Sequence, residues 1–263
     1  MSVLDEIVAG VLEDLAPRQS STPLAEMRSR AADAAPAIPL LPRPAGDFGL
    51  IAEVKRSSPS KGALSDIPDP AELAAAYQAG GAAAISVLTE GRRFNGSLAD
   101  LDAVRAAVSI PVLRKDFVVT EYQIHEARAH GADIVLLIVA SLSAGQLAEF
   151  HGLVTELGMT ALVEAHTAEE IAAAAAISAQ LIGVNTRNLK DLSVDLARFG
   201  PLSELCPDDA VLVGESGVRN AQDVADYARQ GADLALVGEA LVTGGRPQEA
   251  VGEFVAAGRA AKP

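Results

Sequence analysis

Six side chains able to move or hold protons sit at the ends of short apolar runs: Glu53 and Lys55 close "LIAEVK", Lys115 closes "PVLRK", Glu164 "TALVE", Asn185 "LIGVN" and Glu215 "AVLVGE". Carboxylates beside ammonium groups are the material of general acid–base catalysis. In an extended chain every second residue shares a face. Glu53 therefore shares a face with Lys55, and Lys115, Glu164 and Glu215 follow Leu113, Leu162 and Val213 into the same interior. An unpaired buried charge costs several kcal/mol, roughly, even after relaxation. A structural ion pair would explain Glu53 and Lys55 alone, and a solvated strand end any other single member. Six such side chains converging on one rim point instead to a ligand cavity that handles protons. Arg114 has the opposite parity and falls outside this set.

The basic residues are unevenly chosen. Of 21, only Lys55, Lys61, Lys115, Lys190 and Lys262 are lysines, which hints that a retained lysine serves where a compact, tunable ammonium is needed. The last two apolar runs continue into "VGESGVRN" and "LVGEALVTGG". Ser216, Gly217 and Gly238 let backbone N–H groups turn toward an anion, with a helix N-terminus adding partial positive charge, and phosphate is the expected guest. Tight strand-to-helix turns are the plain alternative. Phe94 in "RRFNGS" and Phe117 after "RKD" are placed to line a flat apolar slot for a ring, or else to pack beneath a helix. His125, His130 and His151 fall in helical patterns, and His166 has no second ligand at metal spacing, so no metal site is assigned.

The elements that must position these groups follow from the pattern. Val3, Leu4, Ile7, Val8, Val11, Leu12 and Leu15 have helical spacing, and Thr22 with Pro23 offers an N-cap and first-turn proline for a second helix to about Ala35. A proline-rich connector follows. From Phe48 eight strand candidates alternate with helices whose starts are marked by Asp69 and Pro70, Thr120 and Gln123, Ser143 and Gln146, Thr167 and Glu170, and Asn220 and Asp223. Near-continuous apolar strands separated by helices predict a parallel sheet covered on its outer face, closed most simply as a (β/α)8 TIM barrel. An open doubly wound sheet is the competitor, but "RSSPSKG" after the first strand is no dinucleotide fingerprint. The expected organisation is one barrel domain over 1–263, with an N-terminal helical extension at 1–45 and eight β/α units at 46–263.

Composition bounds the partners. The chain has 263 residues, 49% hydrophobic and 21% charged, with a net charge of −14. That charge argues against nucleic acid and anionic membrane as partners. The single Cys206 permits no internal disulfide and suits a reducing cytoplasm. No run is long and apolar enough to span a bilayer, and the acidic start "MSVLDEIVAG" is unlike a signal peptide.

The blocks "IAEVKRSSPSKG", "FNGS", "LRKDFVVTEYQIHEARAHGADIVLLIV", "ALVEAHT", "IGVNTRNL", "ESGV" and "LVGEALV", in this order, resemble the indole-3-glycerol phosphate synthase family. The resemblance implies ring closure of 1-(2-carboxyphenylamino)-1-deoxyribulose 5-phosphate in tryptophan biosynthesis, with loss of carbon dioxide and water and without a cofactor. It makes Lys115 the general acid, tuned by Glu53 and Glu164. Lys55 pairs with substrate anions, Glu164 and Glu53 act as base and proton relay, and Asn185 and Glu215 position the departing hydroxyl. Ser58, Pro59, Leu136 and Leu189 shape the ring slot with Phe94 and Phe117. Ser216, Gly217, Gly238 and Glu239 take the phosphate, and Arg187 orients the rim carboxylates. Thr186 and Glu239 are expected to contribute through their backbones. The partner implied is a small phosphorylated substrate, and the enzyme is expected as a monomer or weak oligomer.

Overall fold

The computed structural model describes residues 3–44, 46–58, 62–63, 67–188 and 193–263. Two helices lead, α1 (Val3–Ser21) and α2 (Leu24–Asp33). The alternation then runs β1 (Gly49–Val54), a small antiparallel ribbon of β2 (Ser57–Ser58) and β3 (Gly62–Ala63), α3 (Pro70–Ala79), β4 (Ala84–Leu88), α4 (Leu98–Ala107), β5 (Val112–Lys115) and α5 (Glu121–Ala129). It continues through β6 (Ile134–Ile138), α6 (Ala144–Glu156), β7 (Thr160–Ala165), α7 (Ala168–Ala176), β8 (Leu181–Asn185), α8 (Phe199–Ser203), β9 (Val211–Glu215) and α9 (Ala221–Arg229). It ends in β10 (Leu234–Val237), α10 (Glu239–Val242) and α11 (Pro247–Ala261). Strands β1 and β4 through β10 close a barrel in sequence order, all neighbours parallel, with β1 pairing to both β4 and β10.

Alternation along the strands divides the core into two layers. Ile51, Ala84, Leu113, Ile134, Leu136, Leu162, Leu181, Val213 and Leu234 fill the barrel, and Leu40 from the proline-rich connector packs with them. The intervening residues, such as Leu50, Ile85, Val112, Val135, Val163 and Ile182, face the helices. Strands buried on both sides explain their unbroken apolar runs. The helix starts read from capping residues are observed at Asp69, Ser143 and Asn220, whose side chains accept backbone N–H groups of the first turn.

Three features differ from expectation. Helix α2 begins at Leu24 rather than at Pro23, because the Pro23 carbonyl already accepts the first helical bond from Met27 N while Pro23 itself stays extended. Between β8 and β9 the helix shrinks to one 3-10 turn and five residues containing Gly200 and Pro201. The ribbon after β1 has no periodic signal in two-residue strands. Helix α1 is tied down by Arg18 to Glu126 at 2.8 Å and by Arg92 to Glu13 and Asp14 at 2.8 and 2.7 Å.

Candidate active site

The C-terminal mouth of the barrel is a cleft lined by Glu53, Lys55, Phe94, Lys115, Phe117, Leu136, Glu164, Asn185, Arg187, Glu215, Ser216, Gly217, Gly238 and Glu239. These are the residues expected from the sequence, apart from three. Pro59 and Leu189 lie outside the described residues, and of Ser58 only the backbone in the ribbon is described. Lys61 and Lys190 likewise lie outside.

Lys115 is the hub. Its Nζ is 3.0 Å from Glu164 Oε2 and 3.6 Å from Glu215 Oε2. Burial alone would push its ammonium down, but Glu164, Glu215 and Glu53 outweigh that and hold it above the ordinary lysine value. The two carboxylates beside it behave oppositely, because one cation and one dry site cannot hold two charges equally well. Burial opposes the charge on Glu164, yet Lys115 and His166 outweigh it and keep this carboxylate well below the usual range. Glu215 is pushed up to about 8, first by burial and then by the neighbouring charge of Glu164. Lys55, a partly exposed side chain, pairs with Glu53 Oε1 at 2.5 Å.

Space for these carboxylates comes from glycines. A Cβ on Gly183 would fall inside the contact distance of Glu215 Oε1, and one on Gly238 would come within 2.8 Å of Glu53 Oε1. Because the obstructed atom is the free end of a side chain, Gly183→Ala is expected to keep the fold and move the carboxylate. A displacement of about 1 Å in a catalytic group costs up to roughly a hundredfold. The expected result is a fall in kcat of ten- to a hundredfold, roughly on that scale, with a thermal unfolding curve close to the parent's; parental kcat would deny Glu215 a part in the reaction.

Loop carboxylates position the two phenylalanines of the cleft. Glu90 accepts the backbone N–H groups of Arg92, Arg93 and Phe94 at 3.0, 2.7 and 3.0 Å, and Asp116 accepts that of Phe117 at 2.8 Å. The two phenylalanine rings stand 6.2 Å apart at 40°. Helix α1 adds Val3, Leu4 and Ile7 to the wall. Arg114, as its parity required, is fully buried toward the helices with Asp116 and Glu126 each at 3.0 Å.

In the turn after β9, Ser216 and Gly217 take positive φ, at 72° and 75°. The Tyr227 hydroxyl lies 3.0 Å from Glu215 O and 2.8 Å from Ser216 O, holding this turn from below. The two helices that follow these turns start differently, α10 opening at Gly238 with no side-chain cap. Asn220 already caps α9, accepting Gln222 N and Asp223 N, and α10 is a single turn. The Ser216 hydroxyl donates to Asn185 Oδ1 at 2.8 Å, and Arg187 N donates to the same oxygen at 3.0 Å. Thr186 bonds through both backbone and side chain: its N–H donates to Glu215 O at 3.1 Å, and its hydroxyl is buried against Glu215 O and the Tyr227 hydroxyl, both at 3.0 Å.

His166, Glu90, Gly183, Tyr227 and the α1 residues were given no functional role by sequence reasoning. Among the described residues no cluster of histidine, cysteine and carboxylate side chains is arranged to hold a metal ion.

Comparison with known proteins adds an independent line. Residues 4–254 match the family model described as "Indole-3-glycerol phosphate synthase". The chain is 57% identical to the protein of that name from Paenarthrobacter aurescens over 99% of this chain and 98% of that one. It is 59% identical to the one from Micrococcus luteus, covering 98% of each. Among solved structures, thiamine phosphate pyrophosphorylase from Pyrococcus furiosus superposes with a TM-score of 0.61 at 16% identity, over 82% of this chain and 97% of that one. At that identity the likeness speaks to the barrel alone.

Proposed function

The chain belongs to the indole-3-glycerol phosphate synthase family, and from that premise we propose that Lys115 is the general acid of its ring closure, Glu164 the base and Glu215 the second acid. The activity is conversion of 1-(2-carboxyphenylamino)-1-deoxyribulose 5-phosphate to indole-3-glycerol phosphate in tryptophan biosynthesis. The observation that carries the assignment is the placement of Lys115 Nζ between two buried carboxylates of opposite tendency.

In the first step the ring carbon bearing the carboxylate attacks the ketone carbon. The carbonyl π pair moves to oxygen, which takes a proton from the Lys115 ammonium. The bond to the carboxylate then breaks, its electron pair restores the ring, and carbon dioxide leaves. Glu215, held neutral in the free site, protonates the departing hydroxyl while Glu164 accepts a proton from the neighbouring carbon, giving water and the indole. Two protons are given and one is recovered, matching the one solvent proton that the overall reaction consumes. Glu164 returns its proton to Lys115 across their 3.0 Å contact. No step transfers electrons to or from an outside acceptor. Glu53 relays protons and, with Lys55, faces the substrate anions. Phe94, Phe117 and Leu136, with Ser58, Pro59 and Leu189, hold the ring, while Asn185 orients the hydroxyl and Arg187 the rim carboxylates.

The phosphate is assigned to the backbone N–H groups of Ser216, Gly217, Gly238 and Glu239. Because the Ser216 proton goes to Asn185, Ser216→Ala removes one ordinary hydrogen bond and is expected to raise KM roughly two- to tenfold. Unchanged KM and unchanged inhibition by inorganic phosphate would remove the anion site from this turn.

We take the extension and barrel to act as one unit in the cytoplasm, where Cys206 stays reduced. A monomer or weak oligomer is favoured because the exposed large apolar residues among those described, Val3, Leu12, Val194 and Leu205, are few. No described helix is long and apolar enough to cross a membrane. The direct test is to add the substrate to purified protein in EDTA and record indole emission. The chain has no tryptophan, so any growth of that signal belongs to product, and its absence would end the functional reading.

A further inference from the structure

Helix α7 begins with what the sequence presents as a capping box, Thr167 with Glu170 three residues on. Only half of it forms. The Thr167 hydroxyl accepts Glu170 N at 3.3 Å, but the Glu170 carboxylate passes the N-cap and instead accepts the backbone N–H of His166 at 2.7 Å, with His166 Nδ1 at 3.1 Å. Arg198 Nη2 donates to the His166 carbonyl at 2.8 Å. Three contacts from two elements thus fix a histidine that is only 5% exposed. Its other ring nitrogen, Nε2, stands 3.3 Å from Glu164 Oε1, an ion-pair distance at which no hydrogen bond is aligned, while Oε2 of the same carboxylate meets Lys115. A neutral imidazole would turn a lone pair toward one of two carboxylates, so this geometry suits a ring carrying both protons.

We propose that His166 is the positioning residue that decides which of the two carboxylates beside Lys115 serves as base: its imidazolium, gripped by Glu170, keeps Glu164 ionised and aimed at the lysine and leaves the proton on Glu215. The charged groups facing this arrangement are Glu170 from α7, Glu164 from β7, Lys115 from β5, Glu215 from β9 and Glu53 from β1, with the Arg198 guanidinium on the His166 carbonyl. Without the ring, two buried carboxylates would compete for one lysine on nearly equal terms, and the acid and base duties would blur. Burial disfavours the charged ring, but its contacts with Glu164 and Glu170 outweigh that and raise its pKa to about 9.

The inference rests on Glu164 being the base, and the test separates the two ideas. Nitrogen NMR of the free, histidine-labelled enzyme reads the ring directly, with His166 assigned by its loss in His166→Gln. Both ring nitrogens are expected to be protonated at pH 7. In His166→Gln, kcat is expected to fall about ten- to a hundredfold with KM changed less than about threefold, and the acidic limb of kcat/KM to move up by about one pH unit or more. Glu170→Gln, outside the cleft, is expected to move the limb the same way by less, and it carries the test if His166→Gln does not fold. A neutral ring at pH 7 overturns the proposal. So does an unmoved limb, even with reduced kcat, because a packing role predicts that pattern. If the limb shifts as expected but Glu164→Gln remains active, the base assignment falls while the electrostatic role of His166 stands.

Discussion

Lys115→Met is expected to lower kcat by about 10²- to 10⁴-fold, the worth of a positioned general acid, while substrate still binds. Methionine fills the volume of the lysine stem, and Leu113, Leu136 and Leu162 below it are untouched. Glu215 already carries its proton and the charge left on Glu164 faces His166 or is relieved by proton uptake, so the fold is expected to survive and the loss to fall on chemistry. The alternative acid is Lys55. It pairs with Glu53 at 2.5 Å, whereas Lys115 faces Glu164 and Glu215 and is also influenced by Glu53. If kcat of Lys115→Met stays within a few-fold of the parent, the acid is not Lys115, and Lys55 takes its place. The same carboxylates bear on a Schiff-base reading. A covalent role needs the neutral amine, and these neighbours hold the ammonium above its ordinary value. Borohydride added with substrate is therefore expected to trap no adduct.

Most of the cleft was legible because a strand has a period of two, and that rule survives folding. Lys115 shares a face with Leu113, Glu164 with Leu162 and Glu215 with Val213, and each reaches the mouth by continuing an aliphatic interior. Arg114 was excluded by the same parity and is found among the helices with Asp116 and Glu126. Local capping chemistry was equally readable at Asp69, Ser143 and Asn220, since each cap closes within three residues.

What escaped depends on distances that no local period encodes. Gly183 looks like one more small strand residue, and only its neighbour β9, set by the barrel's closure, shows that it makes room for Glu215. Glu170 matches a capping motif, yet a ring one residue before the cap competes for its carboxylate and wins. The Ser216 hydroxyl looked free for phosphate, but it donates to Asn185 once β8 and β9 pair in register. Helix α1 reads as an ordinary amphipathic helix. That Val3, Leu4 and Ile7 reach the cleft follows from tethers through Arg18 and Arg92 to residues far along the chain.

Glu164→Gln is the complementary experiment, with a comparable fall in kcat of about 10²- to 10⁴-fold expected for loss of a positioned base. The substrate carries a carboxylate and a phosphate, so deleting a negative charge from its site is expected to leave KM unchanged or lower it. A pure loss of structure would instead raise KM along with lowering kcat. The redistribution of charge is the more specific signature. Glu215 is raised partly by the neighbouring charge of Glu164, and with that charge gone Glu215 is expected to ionise at lower pH beside Lys115. The variant thereby loses the base outright and, near neutral pH, also loses the neutral acid, leaving Lys115 paired with the wrong carboxylate. Its residual activity is expected to rise toward lower pH, where Glu215 regains its proton, whereas the parent, limited there by protonation of Glu164, is expected to lose activity. A variant whose pH profile parallels that of the parent would mean that the two carboxylates do not divide the work as their environments indicate.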